Sequence, residues 1–163
     1  MNDWTPKQLA SQFRAGQRTG LIPLLVAAAK QAGLPPAYVV AVASRETRIQ
    51  NILGDGGHGH GVMQIDDRSH REFLAEHPDW RTNPAPLIEH AAELLAYNCA
   101  AVRKRWPAFD DRQVRKVAAS AYNAGMTNAA QGVSTGDSDR YTTGRDYGRD
   151  VLLRALVFED LLG

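Results

Sequence analysis

Five glycines fall within the eight residues from Gly54 to Gly61, directly after an apolar segment that ends in a carboxylate. A run so rich in glycine cannot continue a helix, so the chain must break into a loop there. The segment before it, Pro36 to Thr47, carries Val39, Val42, Ala43 and Glu46 at i, i+3, i+4 and i+7. That spacing predicts a helix with Glu46 on its apolar face, close to its C-terminal end. Burial and the negative end of the helix dipole both penalise an ionised carboxyl. A fold keeps a glutamic acid protonated near neutral pH in this way, ready to donate. Arg45 and Arg48 flank the stripe and are expected to face solvent, which leaves the shift unopposed.

The rest of the chain reads as mainly helical. Thr5-Pro6-Lys7-Gln8 is a compact helix start, with Leu9 and Phe13 inward and Gly16 at the end. A second helix covers about 22–32 and stops at Gly33, before Pro35 and Pro36. The glycine run itself is expected to hold no regular structure. Val62 to Asp66 then alternates, with Met63 and Ile65 on one side and Gln64 and Asp66 on the other, as in a short half-exposed strand. A long helix over about 86–105 has Leu87, Ala91, Leu94, Leu95, Asn98 and Val102 on its inner side. Asp110 or Asp111 caps the next helix, which ends at Gly125. A polar loop, 132–142, precedes a last helix in which Thr143 caps and Asp146 completes a capping box. The fold class is α+β, predominantly α-helical, with a small sheet around the glycine loop. With no internal repeat and no linker, residues 1–163 form a single domain.

Composition narrows the partners. Nineteen basic against eighteen acidic residues give a formal charge of +1. No global field therefore draws the chain to nucleic acid or anionic lipid. No run is long enough to insert across a membrane. The single cysteine, Cys99, rules out an internal disulfide and sits in an apolar helical pattern, as a buried small hydrophobe would. Leu21 to Ala29, behind Arg14 and Arg18, mimics a secretory signal, but Asp3, Pro23 and the amphipathic stripe of Leu21, Leu24, Leu25 and Ala28 argue against one. His58 and His60 beside Asp55 hint at a metal site, yet no third histidine at helical spacing supports it, so no metal and no cofactor is expected.

A protonated glutamic acid and a second carboxylate across a cleft are the equipment of glycoside hydrolysis. Glycine would let backbone approach a bulky sugar closely. Asp55 and Asp66 are the candidates for the second carboxylate. Taken singly, each residue has a plainer reading: Glu46 as a solvated helix end, Asp55 as a turn former, Asp66 and Asp67 as caps of a segment near Ser69, and Tyr122-Asn123 as a helix terminus.

Five segments taken together carry a resemblance. Ser44-Arg45-Glu46-Thr47, Gly54-Asp55 onward to Gly61-Val62-Met63-Gln64-Ile65-Asp66, Arg68-Ser69-His70, Ser120-Ala121-Tyr122-Asn123-Ala124-Gly125 and Asp146-Tyr147-Gly148-Arg149-Asp150-Val151 occur in the order of the goose-type lysozymes. The chain resembles that family, within the lysozyme and lytic transglycosylase superfamily, over roughly residues 36 to 158. The resemblance implies a lysozyme-like fold and cleavage of the peptidoglycan bond between N-acetylmuramic acid and N-acetylglucosamine, with no cofactor. It implies Glu46 as general acid, and Asp55 and Asp66 as positioners of the attacking water, with inversion. Such a geometry separates the carboxyl groups by roughly 6.5–9.5 Å. Gln64, His70, Tyr122, Asn123 and Tyr147 would line the cleft, Tyr147 bonding near the acid and Gln64 and Asn123 contacting sugar amides.

The spacer from Thr47 to Gly54 is shorter than in animal members and their disulfides are absent, as suits a bacterial or bacteriophage protein. The partner is then a peptidoglycan glycan strand, met by a monomer at the cell wall. With no evident signal, the chain waits in the cytoplasm for release, as a phage lysin does, or leaves by another route. Three other readings remain: a lytic transglycosylase, in which the muramic acid's own hydroxyl attacks; a non-catalytic wall-binding module; and a metal-dependent hydrolase.

Overall fold

The structure is a computed structural model that describes residues 3–163. Its helices are α1 (Pro6–Arg18), α2 (Leu21–Gln31), α3 (Pro36–Thr47), α4 (Arg71–Glu76), α5 (Ala85–Arg105), α6 (Asp111–Ala124), α7 (Met126–Ser134) and α8 (Tyr147–Leu162). Three two-residue strands, β1 (Leu53–Gly54), β2 (Gly59–His60) and β3 (Ile65–Asp66), form an antiparallel sheet in chain order. The architecture is α+β and predominantly helical. Among the described residues no helix is long and apolar enough to cross a membrane.

Local chemistry sets several boundaries. The Thr5 hydroxyl accepts from the Gln8 N–H at 3.2 Å, and the Gln8 side chain accepts from the Thr5 N–H at 2.7 Å. That reciprocal pair satisfies two donors a helix start leaves orphaned. Asp110 and Gln113 repeat the arrangement at α6. Gly33 ends α2 in left-handed geometry just before the two prolines.

Helix α3 is more deeply placed than one apolar face requires. Val39, Val40, Ala41, Val42 and Ala43 are all fully buried, and the helix packs against α2 and α8. A helix apolar on every side belongs in the middle of a fold. Each buried valine contributes roughly 1.5–3 kcal/mol. The helix is closed by Arg48 and Ile49, both left-handed, whose N–H groups return to the Ser44 and Ala43 carbonyls at 3.0 and 3.2 Å. A β-branched residue at positive φ is strained, and the buried Ile49 side chain holds it there. It presses on Gly16, where any β-carbon would meet Ile49 Cγ2 at 2.8 Å.

Four local expectations fail. The glycine run is not structureless, since it contains β1 and β2, paired Gly54 with Gly59. The strand expected over 62–66 shrinks to Ile65–Asp66, because Gln64 turns to φ 55° and breaks the alternation. Gly125 is a corner at φ 85° that ends α6 and opens α7, a helix the sequence reading missed. The last helix starts at Tyr147, after a 3-10 turn over Thr143–Arg145, and Asp146 makes no side-chain capping bond.

What replaces that capping box is remote. The fully buried Asp139 carboxylate accepts the Gly148 and Arg149 N–H groups at 2.7 and 3.0 Å, with the Ser120 hydroxyl donating at 2.8 Å. An anion is favoured at a helix N-terminus by the dipole and by those free donors. A side chain at position 148 would strike the Lys116 carbonyl and the Ser120 hydroxyl, so the approach needs glycine. Tyr147 is thereby fixed at the head of α8.

Candidate active site

Glu46, one residue from the end of α3, receives a hydrogen bond from the buried Tyr147 hydroxyl at 2.5 Å. Burial raises its carboxyl from 4.5 to about 7. The Tyr147 bond and the Arg45 charge pull the other way, and the Asp55 charge adds to the rise. Desolvation wins, and the group holds its proton close to neutrality. Tyr147 itself is raised by burial and then by Glu46, so it stays a neutral donor.

Arg45 does not face solvent as the sequence suggested, whereas Arg48 is exposed. The Arg45 guanidinium reaches across to α8, bonding Asp150 at 2.8 Å, Asp146 at 3.0 Å and the Thr143 carbonyl at 2.9 Å. It also lies 5.2 Å from the Tyr147 ring centre, in cation–π range. Asp150 takes two further bonds, from Arg154 at 2.7 Å and the Trp4 indole at 2.6 Å. Burial opposes its charge, but the bonds from Arg45, Trp4 and Arg154 prevail and keep it ionised below the usual range. The residue beside Glu46 therefore clamps α3 to the helix that supplies Tyr147.

Asp55 and Asp66 meet at Arg68. One guanidinium nitrogen lies 2.6 Å from an oxygen of each. The Arg68 bonds lower Asp66 to about 2. Asp66 is thus held ionised, and Arg68 makes Asp55 its neighbour, Asp55 in the 3-10 turn after β1 and Asp66 on β3. The glycine loop is shaped by Gln64, whose amide donates to the Ile52 and Gly61 carbonyls at 3.2 and 2.9 Å. Any β-carbon at Gly54 or Gly59 would collide with Gln64 Oε1. The glycines at 54 and 59 therefore make room for a glutamine that ties the loop down.

Gln64, Asp66, His70, Tyr122 and Asn123 all line one cavity of about 460 Å³. Tyr122 donates to the Met63 carbonyl at 2.7 Å, and Asn123 exchanges bonds with Thr143, accepting from its N–H at 2.9 Å. His70 shares a ring-nitrogen hydrogen bond with His90 at 3.2 Å. Glu46, Asp55 and Tyr147 do not line that cavity. Glu46 and Tyr147 are linked to each other, and Asp55 is linked to Asp66 through Arg68.

His58 and His60 turn away from Asp55 and onto Asp67, at 2.8 and 3.2 Å. Among the described residues no group of three or more His, Cys, Asp or Glu side chains is placed to hold a metal ion. Cys99 is buried, and burial raises its thiol, so it is no nucleophile.

The model of one protein family, lysozyme g, matches residues 21–161. The chain belongs to the lysozyme g family. Lysozyme g of Struthio camelus is 34% identical over 128 residues, covering 76% of this chain and 58% of that protein. Lysozyme g of Cyprinus carpio is 32% identical over 158 residues, covering 94% and 80%. That of Takifugu rubripes is 27% identical over 164 residues, covering 98% and 85%. The chain thus spans little more than half the length of the bird relative and most of the fish ones.

Within this lysozyme g chain, sequence reasoning missed four positions of note. Leu94 and Asn98 line the cavity from α5, four residues apart on one helical face, a pattern read there simply as core. Arg68 stands two residues after Asp66, inside a segment quoted for its resemblance, but nothing in the spacing assigned it a role. Arg45 was placed on the wrong side because its carboxylate partners lie about a hundred residues away.

Proposed function

We propose that this lysozyme g chain is a muramidase, cleaving peptidoglycan between N-acetylmuramic acid and N-acetylglucosamine. The observation that carries the reading is the Glu46 carboxyl, raised to about 7 by burial with Asp55 adding to the rise, while Arg68 joins Asp55 to Asp66. Glu46 donates its proton to the glycosidic oxygen as the bond from that oxygen to the anomeric carbon breaks. A water held by Asp55 and Asp66 attacks that carbon from the opposite face and passes its proton to one of them, which gives inversion. Solvent then returns a proton to Glu46. The cavity beside the carboxylates offers amide, hydroxyl and imidazole groups to the sugars through Asn123, Tyr122 and His70, and Gln64 braces its floor. Such a chain acts at the cell wall.

A second reading keeps the substrate and changes the nucleophile. Arg68 grips both aspartates and holds Asp66 at about 2, which makes it a weak base. A transglycosylase needs no carboxylate base, since the muramyl hydroxyl attacks and leaves an anhydro-sugar. The masses of fragments from purified peptidoglycan separate the two, because hydrolysis adds one water per bond cut, carried by the new muramyl end, and the anhydro end lacks it. We expect the hydrated product, and an anhydro product would establish the rival. Glu46→Gln should bind the polymer without cutting it; if cutting persists at the native rate, Glu46 is not the acid.

A further inference from the structure

A second cavity, of about 450 Å³, opens beyond the 3-10 turn that leads into α8, lined by Thr135, Asp137, Arg140, Tyr141 and Arg145. Resting on the muramidase reading, we propose that it receives a free carboxylate of the peptide that hangs from the muramic acid of the bound glycan. Two exposed arginines line it, and among the described residues neither guanidinium makes an ion pair or a side-chain hydrogen bond. The one carboxylate in the lining, Asp137, is already bonded to Lys116 at 3.0 Å, so it does not cancel the pair. Arg140 lies over the Tyr141 ring at 5.7 Å, within cation–π range.

Position connects this cavity to the glycan cleft. Thr143, bonded to Asn123 on the cleft lining, is two residues before Arg145, and Tyr147 is two residues after it. Two residues span at most about 7 Å. A stem peptide of three residues extends roughly 10 Å, longer than the backbone span from Thr143 to Arg145. A guanidinium fork matches a carboxylate in two parallel bonds. Being tied to the glycan, that carboxylate arrives at high effective concentration, so even exposed arginines gain a useful contact. A phosphate-bearing wall polymer offers similar oxyanions but lacks that tether.

The test compares the native chain with Arg140→Gln/Arg145→Gln on two substrates: intact peptidoglycan, and the same glycan stripped of peptide by an amidase. The double variant should lose about tenfold in kcat/KM on the intact polymer, carried by KM, because two exposed ion pairs are each worth little singly. It should match the native chain on the stripped glycan. Equal loss on both substrates, or none on the intact one, overturns the proposal. If the native chain cuts neither substrate, the muramidase reading fails, and the cavity is judged by binding alone. Titration with a soluble stem peptide bearing free carboxylates should then shift the amide resonances of Arg140 and Arg145, while the amidated peptide should not. Absence of shifts with the free peptide, or tighter binding of inorganic phosphate, overturns it.

Discussion

The Tyr147 hydroxyl, at the first residue of α8, donates to Glu46 Oε1 near the last turn of α3 at 2.5 Å. The bond favours the ionised carboxylate, yet the carboxyl still rises to about 7 because burial outweighs it. Tyr147 thus sets the orientation of the acid and trims its pKa. It is itself set by Asp139 behind it and Arg45 beside it.

Replacing Tyr147 with Phe removes a donor to the ionised form, so the Glu46 pKa rises further. The alkaline limb of kcat/KM against pH should move upward, while the plateau falls about tenfold as the carboxyl loses its orientation. A limb that moves downward would mean that the hydroxyl does not act on Glu46.

Stability should depend on pH through the same group. The folded carboxyl titrates at about 7 against a reference of 4.5, so the native state keeps a proton that the unfolded chain releases between those values. Its contribution is complete below about 4.5 and is lost as pH rises through about 7. Glu46→Gln does not titrate and should therefore gain, relative to the native chain, on the order of 3 kcal/mol in urea unfolding above pH 7 compared with acid. A difference independent of pH would refute the shift.

Arg68→Gln should move the acid limb. Arg68 holds Asp66 at about 2 against an ordinary 3.8, and the base must be ionised to work. Without the guanidinium the limb should move up in pH, toward the ordinary carboxylate range. Asp55→Asn and Asp66→Asn should each slow turnover, and the double change should cost more than the sum if they hold one water. An acid limb that ignores Arg68, with additive aspartate effects, would favour the transglycosylase reading.

How much of this was legible follows the range of each interaction. Glu46 could be read because its signal is local, four residues of one helix followed by glycines. The caps at Thr5 and Asp110 could be read for the same reason. Arg45 could not, since its position depends on Asp146 and Asp150, across the fold. Nor could Asp139, which caps α8 from nine residues upstream, through a turn that no periodicity marks. The sheet has strands of two residues, too short for alternation to register, and Gly125 reads as a stop although its φ of 85° makes a corner. Among the cavity-lining residues, Asp66 is a candidate from the chemistry of paired carboxylates, and His70, Tyr122 and Asn123 come through the resemblance, while Leu94 and Asn98 read as core because helical spacing does not distinguish a cavity wall from an interior.

Asp139→Ala tests that remote cap. It strips the Gly148 and Arg149 N–H groups and the Ser120 hydroxyl of a buried acceptor. It should cost about 3 kcal/mol in thermal or urea unfolding. Asp139→Asn, which keeps one acceptor oxygen, should cost less. A loss under about half a kcal/mol, the range of ordinary surface substitutions, would mean that α8 does not depend on this carboxylate.

The most direct measurement is the titration of the Glu46 side-chain carboxyl itself, followed by carbon NMR of the labelled residue in the intact protein and assigned with Glu46→Gln. The carboxyl should titrate at about 7, as burial beside Tyr147 requires. A midpoint near the ordinary 4.5, in a chain that still cuts peptidoglycan, would contradict the account.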